Sequence, residues 1–133
     1  MLNKKQLENL VDFWKKGIKE NYKTMNSLYS SKRYSACLFF GHLVLEKTLK
    51  VIIIQKNKSY PPKIHNLRRL IDLTEIKFDE EDLDSLSEIN TFNMEGRYPE
   101  EKYDFYKICN KRFTDKYMLI IKKIYKKICQ EMK

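Results

Sequence analysis

Apolar residues recur along this chain with the three-to-four-residue spacing of amphipathic helices. In residues 3–30 this spacing produces one apolar stripe, and lysine and acidic side chains occupy the other face. Asn3 is a suitable N-cap for this first predicted helix. The stripe consists of Leu7, Leu10, Val11, Trp14, Ile18, Tyr22, Met25 and Leu28.

Residues 33–56 are apolar on almost every side, which is typical of a helix buried at the centre of a bundle. His42, Glu46 and Lys50 interrupt this run and are each four residues apart, so they share one narrow face of the predicted helix. The unbroken apolar runs are too short to span a membrane, because a span needs about 20 residues. The short connection after residue 30 predicts that the first two helices pack antiparallel.

The residue pattern in the second half of the chain predicts shorter helices. Two prolines at positions 61 and 62 interrupt the helical pattern, and a short helix begins around position 65 or 66. Asp79 is a good N-cap for the next helix, and residues 91–106 read as a loop that contains Pro99. The last helix begins near Asn110. The predicted fold class is all-α, an up-and-down bundle of four to five helices forming a single domain over residues 1–133.

Three segments carry a resemblance to a known family when they are taken in order: FFGHLVLEKTLKVII, PPKIHNLRRL and MEGRYPEE. They resemble the HEPN domain family, whose pattern combines Glu-Lys-x-x-Lys in an apolar helix, a Pro-x-x-His-x-Leu helix start and an Arg-Tyr-Pro loop. With the flanking helices the resemblance covers nearly the whole chain. One departure is visible, because the family often has two glutamines where His42 and Leu43 stand. The matching residues are Glu46, Lys47, Lys50, Pro62, His65, Leu67, Arg97, Tyr98 and Pro99.

The resemblance implies a homodimer that works beside a minimal nucleotidyltransferase protein. In such pairs the helical protein supplies nucleotide or substrate binding, the partner supplies metal-dependent transfer, and the two often behave as a toxin–antitoxin module. This chain has no Gly-Ser and paired-Asp signature of a nucleotidyltransferase, so we expect it to be the non-catalytic half.

Catalytic members of the family use an Arg-x4–6-His motif, in which histidine transfers a proton and arginine stabilises the phosphate. The only histidines here are His42 and His65, and eight residues separate His42 from Arg33, the nearest arginine before it. Arg97 is followed by no histidine at all. We therefore expect no enzyme, no catalytic residue, no cofactor and no metal. Two alternatives stay open: a ribonuclease toxin with an atypical site, and a basic bundle that binds nucleic acid through lysines of its last helix.

The best candidate for a nucleotide or RNA ligand is the segment Arg97-Tyr98-Pro99. Pro99 biases Tyr98 towards an extended conformation, which would present a guanidinium to a phosphate and a ring to a base. The alternative is a structural loop in which Arg97 pairs with an acidic residue and Tyr98 packs on the second helix.

Glu46, Lys47 and Lys50 are further candidates for the lining of a nucleotide groove. Their alternative role is a Glu46–Lys50 pair, either on the only solvent-exposed face of the second helix or across a dimer interface. His65 is a candidate as well, but its position after two prolines also suits a cap or a packing residue.

The formal net charge of +9 is divided into two blocks of opposite sign. Residues 75–101 hold ten acidic and two basic residues, whereas residues 107–133 hold nine basic and two acidic ones. The basic block can attract an anionic partner, or both blocks are solvated helix faces that neutralise each other in the fold or across a dimer.

Cysteine usage and the first residues add little to this interpretation. Cys37, Cys109 and Cys129 are far apart and form no Cys/His cluster, so we expect reduced structural cysteines and no zinc site. The first residues lack the apolar core of a signal peptide, so we expect a cytoplasmic location and no membrane partner.

Overall fold

The structure is a computed structural model that describes all of residues 1–133, and it contains six α-helices and no β-strand. The all-α prediction is therefore confirmed, with one helix more than the four to five expected. The helices are α1 (Lys4–Ser30), α2 (Tyr34–Asn57), α3 (Leu67–Thr74), α4 (Glu80–Asn90), α5 (Pro99–Ile108) and α6 (Lys111–Glu131).

Short polar side chains begin four of these helices. The Asn3 side chain accepts a hydrogen bond from the backbone N–H of Gln6, whose own side chain accepts one from the backbone N–H of Asn3. The side chains of Asn66, Asp79 and Asn110 cap α3, α4 and α6, and each accepts one hydrogen bond from the backbone N–H three residues further on. Each cap satisfies a backbone donor that the first turn leaves free, which explains why these starts are readable from local sequence.

The extra helix, α5, corrects the prediction of a loop over residues 91–106. Pro99 is the first residue of α5, where its missing N–H costs nothing and its fixed φ suits the helix. The Glu101 side chain accepts a hydrogen bond from the backbone N–H of Tyr98 at 3.3 Å, which fixes the helix start. A proline that reads as a helix breaker is thus a helix initiator here, and the connecting loop shrinks to residues 91–98.

α2 is the central helix and contacts each of the other five. Its most extensive partner is α1, because the three-residue connection after Ser30 turns the chain back along it. Apolar side chains on all sides of α2 are buried, as the pattern predicted. None of the six helices has the length and the apolar character that a membrane span requires.

Candidate functional site

The strongest cluster of titratable groups lies around the carboxylate of Glu46, in the middle of α2. Lys50 Nζ donates a hydrogen bond to Glu46 Oε2 at 3.0 Å, and His65 Nδ1 donates to the same oxygen at 2.9 Å. His42 Nδ1 lies 3.8 Å from Glu46 Oε1, which is too long for a hydrogen bond. Helical spacing brings His42, Glu46 and Lys50 together, and the segment before α3 adds His65.

Burial decides what this cluster can do. Glu46 is 5% exposed, Lys50 is 4% exposed and His42 is fully buried. The prediction that His42, Glu46 and Lys50 share one face of α2 is confirmed. This face is not exposed to solvent, however, because it points into the interior of the bundle. A buried charge has to be paired, so Glu46 and Lys50 are held as an ion pair that a ligand cannot reach without opening the fold.

His42 is the most constrained group of the cluster. Neither of its ring nitrogens has a hydrogen-bond partner. Burial lowers the pKa of His42 below its usual value, although the nearby Glu46 carboxylate acts in the opposite direction. His42 is therefore neutral at pH 7, and protonating it would place a second positive charge in the interior beside Lys50.

The lowered pKa of His42 predicts that the protein becomes less stable over a narrow range of mildly acidic pH. Between the lowered pKa of His42 and the usual value near 6.5, the unfolded chain binds a proton that the folded chain does not. The free energy of unfolding should therefore fall as the pH drops below about 6.5, by at most about 1.4 kcal/mol per pH unit for one proton. Urea unfolding between pH 8 and pH 5 measures this slope, and His42→Gln should reduce it.

The slope is compared with that of the wild type alone, because the only other histidine, His65, hydrogen-bonds to Glu46 and belongs to the same cluster as His42. The carboxyls of Asp115 and Glu75 do not interfere. Hydrogen bonds from Lys111 and Lys56, respectively, lower their pKa values, so their contributions disappear only at more acidic pH. A slope between pH 6.5 and pH 5 that is unchanged in His42→Gln would contradict this assignment.

For Lys47 and His65 the sequence allowed either a binding role or a structural role, and the structure shows where both side chains lie. Lys47 is half-buried and points towards α1, where its Nζ lies beside Gly17. His65 is not the N-cap of α3, since Asn66 holds that position. Its role in the structure is the hydrogen bond to Glu46, which ties the loop before α3 to the central helix.

The Arg97-Tyr98 segment lies elsewhere and is accessible. Arg97 Nη1 is 3.1 Å from Glu101 Oε2, so the predicted pairing of this arginine with an acidic residue is present. Both partners are exposed, which makes this pair weak. Tyr98 is 72% exposed and does not pack on α2, contrary to the structural alternative.

A pocket of about 410 Å³ lies between the start of α2, the loop 91–98 and α5. Arg97 and Tyr98 do not line it, but they form the turn that joins two of its walls. The sequence does not indicate this pocket, because the segment that forms α5, one of its walls, has the pattern of a loop. The lining residues are Ser35, Ala36, Phe39, Met94, Glu95, Lys102 and Phe105.

The candidate residues thus separate into two groups. His42, Glu46, Lys50 and His65 form an interior polar cluster, whereas Arg97 and Tyr98 lie on the surface beside a pocket. Neither histidine lies in the Arg97 loop, so no imidazole is placed there to move a proton. No group of three His, Cys, Asp or Glu side chains is arranged to hold a metal ion.

The three cysteines are free thiols, as predicted. Cys37 and Cys109 are buried, and burial raises the pKa of Cys37 to about 11 and that of Cys109 to about 12. Their thiols are therefore protonated and inert at neutral pH. Cys129 is partly exposed on α6.

A helical bundle with a buried polar stripe on its central helix and an Arg-Tyr-Pro turn agrees with the comparison with protein-family models. The model of the HEPN domain matches residues 11–132, and the chain belongs to the HEPN domain family. Comparison with curated proteins and with solved structures gives no match.

Proposed function

We propose that this HEPN domain is a non-catalytic module that binds a nucleotide or a related phosphate-bearing substrate and presents it to a minimal nucleotidyltransferase. In this proposal the module acts as a homodimer and the pair forms a toxin–antitoxin system. The observation that carries the proposal is the exposed Arg97-Tyr98 turn beside an open apolar pocket.

The chemistry of this surface suits a nucleotide. A guanidinium binds a phosphate through paired hydrogen bonds, and its exposed partner Glu101 is exchanged at little cost. The Tyr98 ring is free for stacking on a base. Inside the pocket, Phe39 and Phe105 supply apolar surface and Lys102 supplies a second positive charge. The pocket volume of about 410 Å³ lies in the range of small-molecule sites.

The positions of the histidines support the non-catalytic part of the proposal. A general acid or base has to reach the reacting atom within hydrogen-bonding distance. His42 is fully buried, and His65 donates its hydrogen bond to Glu46. Arg97 therefore stabilises phosphate charge without a neighbouring imidazole, which is an arrangement for binding.

We expect Arg97→Ala and Tyr98→Ala each to weaken nucleotide binding at least fivefold. A hydrogen bond to a charged group contributes about 1.5 to 3 kcal/mol and a stacked base about 1 to 3 kcal/mol. Isothermal titration calorimetry with AMP, ATP and GTP at low salt measures the effect. Arg69→Ala and Tyr60→Ala are matched controls, because both residues are exposed in other parts of the surface.

Two results would contradict the proposal. One is wild-type protein that binds none of these nucleotides, or binding that the control variants weaken as much. The other is cleavage of mixed RNA by the purified protein in the presence of EDTA, lost in Arg97→Ala, which would establish an atypical ribonuclease instead.

The surface of α5 supports the homodimer in this proposal. Tyr103 and Tyr106 are both exposed, and their rings stack on each other with centroids 6.1 Å apart. Glu100 and Glu101 lie in the first turn of α5, whereas Lys107 lies in its last turn. Antiparallel pairing of two α5 helices across a two-fold axis would bring these opposite charges together and cover the tyrosines.

We therefore expect the double variant Tyr103→Glu with Tyr106→Glu to be monomeric in light scattering, where the wild type is dimeric. Four like charges placed at one interface repel each other and remove its apolar area. Leu119→Glu is the control, since Leu119 is similarly exposed on α6. A monomeric wild type, or a dimer that only the control disrupts, would exclude α5 as the contact.

A further inference from the structure

A second cavity lies on another face of the bundle, between α1 and the end of α6. Its volume is about 540 Å³, larger than that of the pocket beside α5. It has no part in the proposed nucleotide site, because the two cavities share no lining residue. The residues that line it are Lys15, Ile18, Lys19, Tyr22, Lys23, Tyr125, Cys129 and Met132. We refer to it as the lysine-edged groove.

The floor of the lysine-edged groove is apolar. Ile18 and Met132 supply aliphatic surface, and the rings of Tyr22 and Tyr125 contact each other with centroids 4.9 Å apart. Burial of the Tyr125 hydroxyl raises its pKa to about 12, so this group stays uncharged. The floor offers no amide and no carboxylate that could read the edge of a nucleotide base.

One edge of the groove carries a row of positive charges. Lys15, Lys19 and Lys23 are four residues apart on α1, so they follow each other at intervals of about 6 Å along the groove. Lys19 forms no ion pair, and the Lys23–Glu20 pair is long, at 3.8 Å, and exposed. Lys15 Nζ donates only a long hydrogen bond, 3.4 Å, to the backbone oxygen of Lys133. No acidic residue lines the groove.

We propose that the lysine-edged groove binds an alkyl carboxylate, a fatty-acid-type anion whose chain lies along the tyrosine floor. The apolar floor favours a hydrocarbon body, and a lysine row in a groove whose lining contains no acidic residue selects an anion over a cation. The three ammonium groups are spaced along the edge and do not converge on one point. A small singly charged head that needs one ammonium fits this spacing, whereas a phosphate is held best by converging donors.

Cys129 provides a direct measure of occupancy, because it lines the groove while Cys37 and Cys109 are buried. N-ethylmaleimide, an uncharged reagent, should modify one thiol of the native protein. We expect dodecanoate, below its micelle-forming concentration, to slow this modification at least fivefold, and dodecyltrimethylammonium or inorganic phosphate to leave it unchanged. Intact-mass spectrometry over time gives the rate, and Cys129→Ser should remove the signal.

Charge-reversal variants test the lysine row. The triple variant of Lys15, Lys19 and Lys23 to Glu should lose the protection by dodecanoate. A second triple variant, of Lys4, Lys5 and Lys16 to Glu, changes the net charge equally on exposed parts of α1 outside the groove and should keep it. The single variant Lys19→Glu, which breaks no ion pair, should weaken protection if the triple variant does not fold.

Several results would overturn the proposal. One is that dodecanoate does not protect the Cys129 thiol of the wild type. Another is that dodecyltrimethylammonium protects it equally, or that AMP protects it more than dodecanoate does. The last is that dodecanoate still protects Cys129 in folded variants of the groove lysines. The nucleotide-binding proposal is tested separately, because Arg97→Ala and Tyr98→Ala alter the other face and should leave the dodecanoate effect intact.

Discussion

Replacing Glu46 by glutamine is expected to lower the free energy of unfolding by about 3 to 5 kcal/mol, a large effect for a single substitution. The Glu46 carboxylate accepts hydrogen bonds from Lys50 Nζ at 3.0 Å and from His65 Nδ1 at 2.9 Å. Glutamine keeps the shape but removes the charge, and Lys50 would remain buried as an uncompensated cation. Its ammonium lies 5.9 Å from the centre of the Trp14 ring, a contact too weak to replace the carboxylate.

Denaturant unfolding at pH 7.5, followed by the fluorescence of the single tryptophan, measures this effect. Glu101→Gln is the matched control: it breaks the exposed pair with Arg97, which should change stability by less than about 1 kcal/mol. The double variant Glu46→Leu with Lys50→Met removes both charges and should recover most of the lost stability. Similar losses in Glu46→Gln and Glu101→Gln would show that burial does not govern the Glu46 pair.

The features that the sequence predicts correctly depend on neighbours in the chain. Helical spacing alone places His42, Glu46 and Lys50 on one face. The caps at Asn3 and Asp79 follow from the unsatisfied donors of a first helical turn. Both are local effects, because the interacting atoms are three or four residues apart.

The features that the sequence could not supply depend on the packing of distant segments. Whether the polar stripe of α2 faces water or the interior is decided by the helices that cover it, and His65 reaches Glu46 across 19 residues of chain. From the local sequence, Pro99 can either end a helix or begin one. Here it begins α5, and Phe105 of that helix packs into the core. Both cavities lie between helices that are remote in sequence, so no local pattern indicates their lining.

Replacing Gly41 by alanine is expected to lower the free energy of unfolding by about 0.5 to 2 kcal/mol, because overpacking a core costs about 1 to 3 kcal/mol and the helical preference for alanine offsets part of that cost. A Cβ at this position would lie 2.6 Å from Ile121 Cδ1 and 3.4 Å from Met25 Sδ, and both of those side chains are fully buried. Alanine is otherwise favoured over glycine inside a helix by about 0.5 to 1 kcal/mol. The close packing of α6 against α2 at this point therefore outweighs the helical preference for alanine.

Gly17→Ala is the matched control, because Gly17 also lies inside a helix but has space around it. The nearest atom to its added Cβ would be Lys47 Nζ at 3.8 Å, an ordinary contact. This substitution should raise the free energy of unfolding by about 0.5 to 1 kcal/mol, so denaturant unfolding should give opposite signs for the two alanine variants. If steric overlap with Cδ1 is the cause, Ile121→Val should cost less in the Gly41→Ala protein than in the wild type, since valine lacks that atom. Equal costs in the two backgrounds, or a stabilising Gly41→Ala, would show that α6 moves away without loss and that the close approach at Gly41 does not determine the packing.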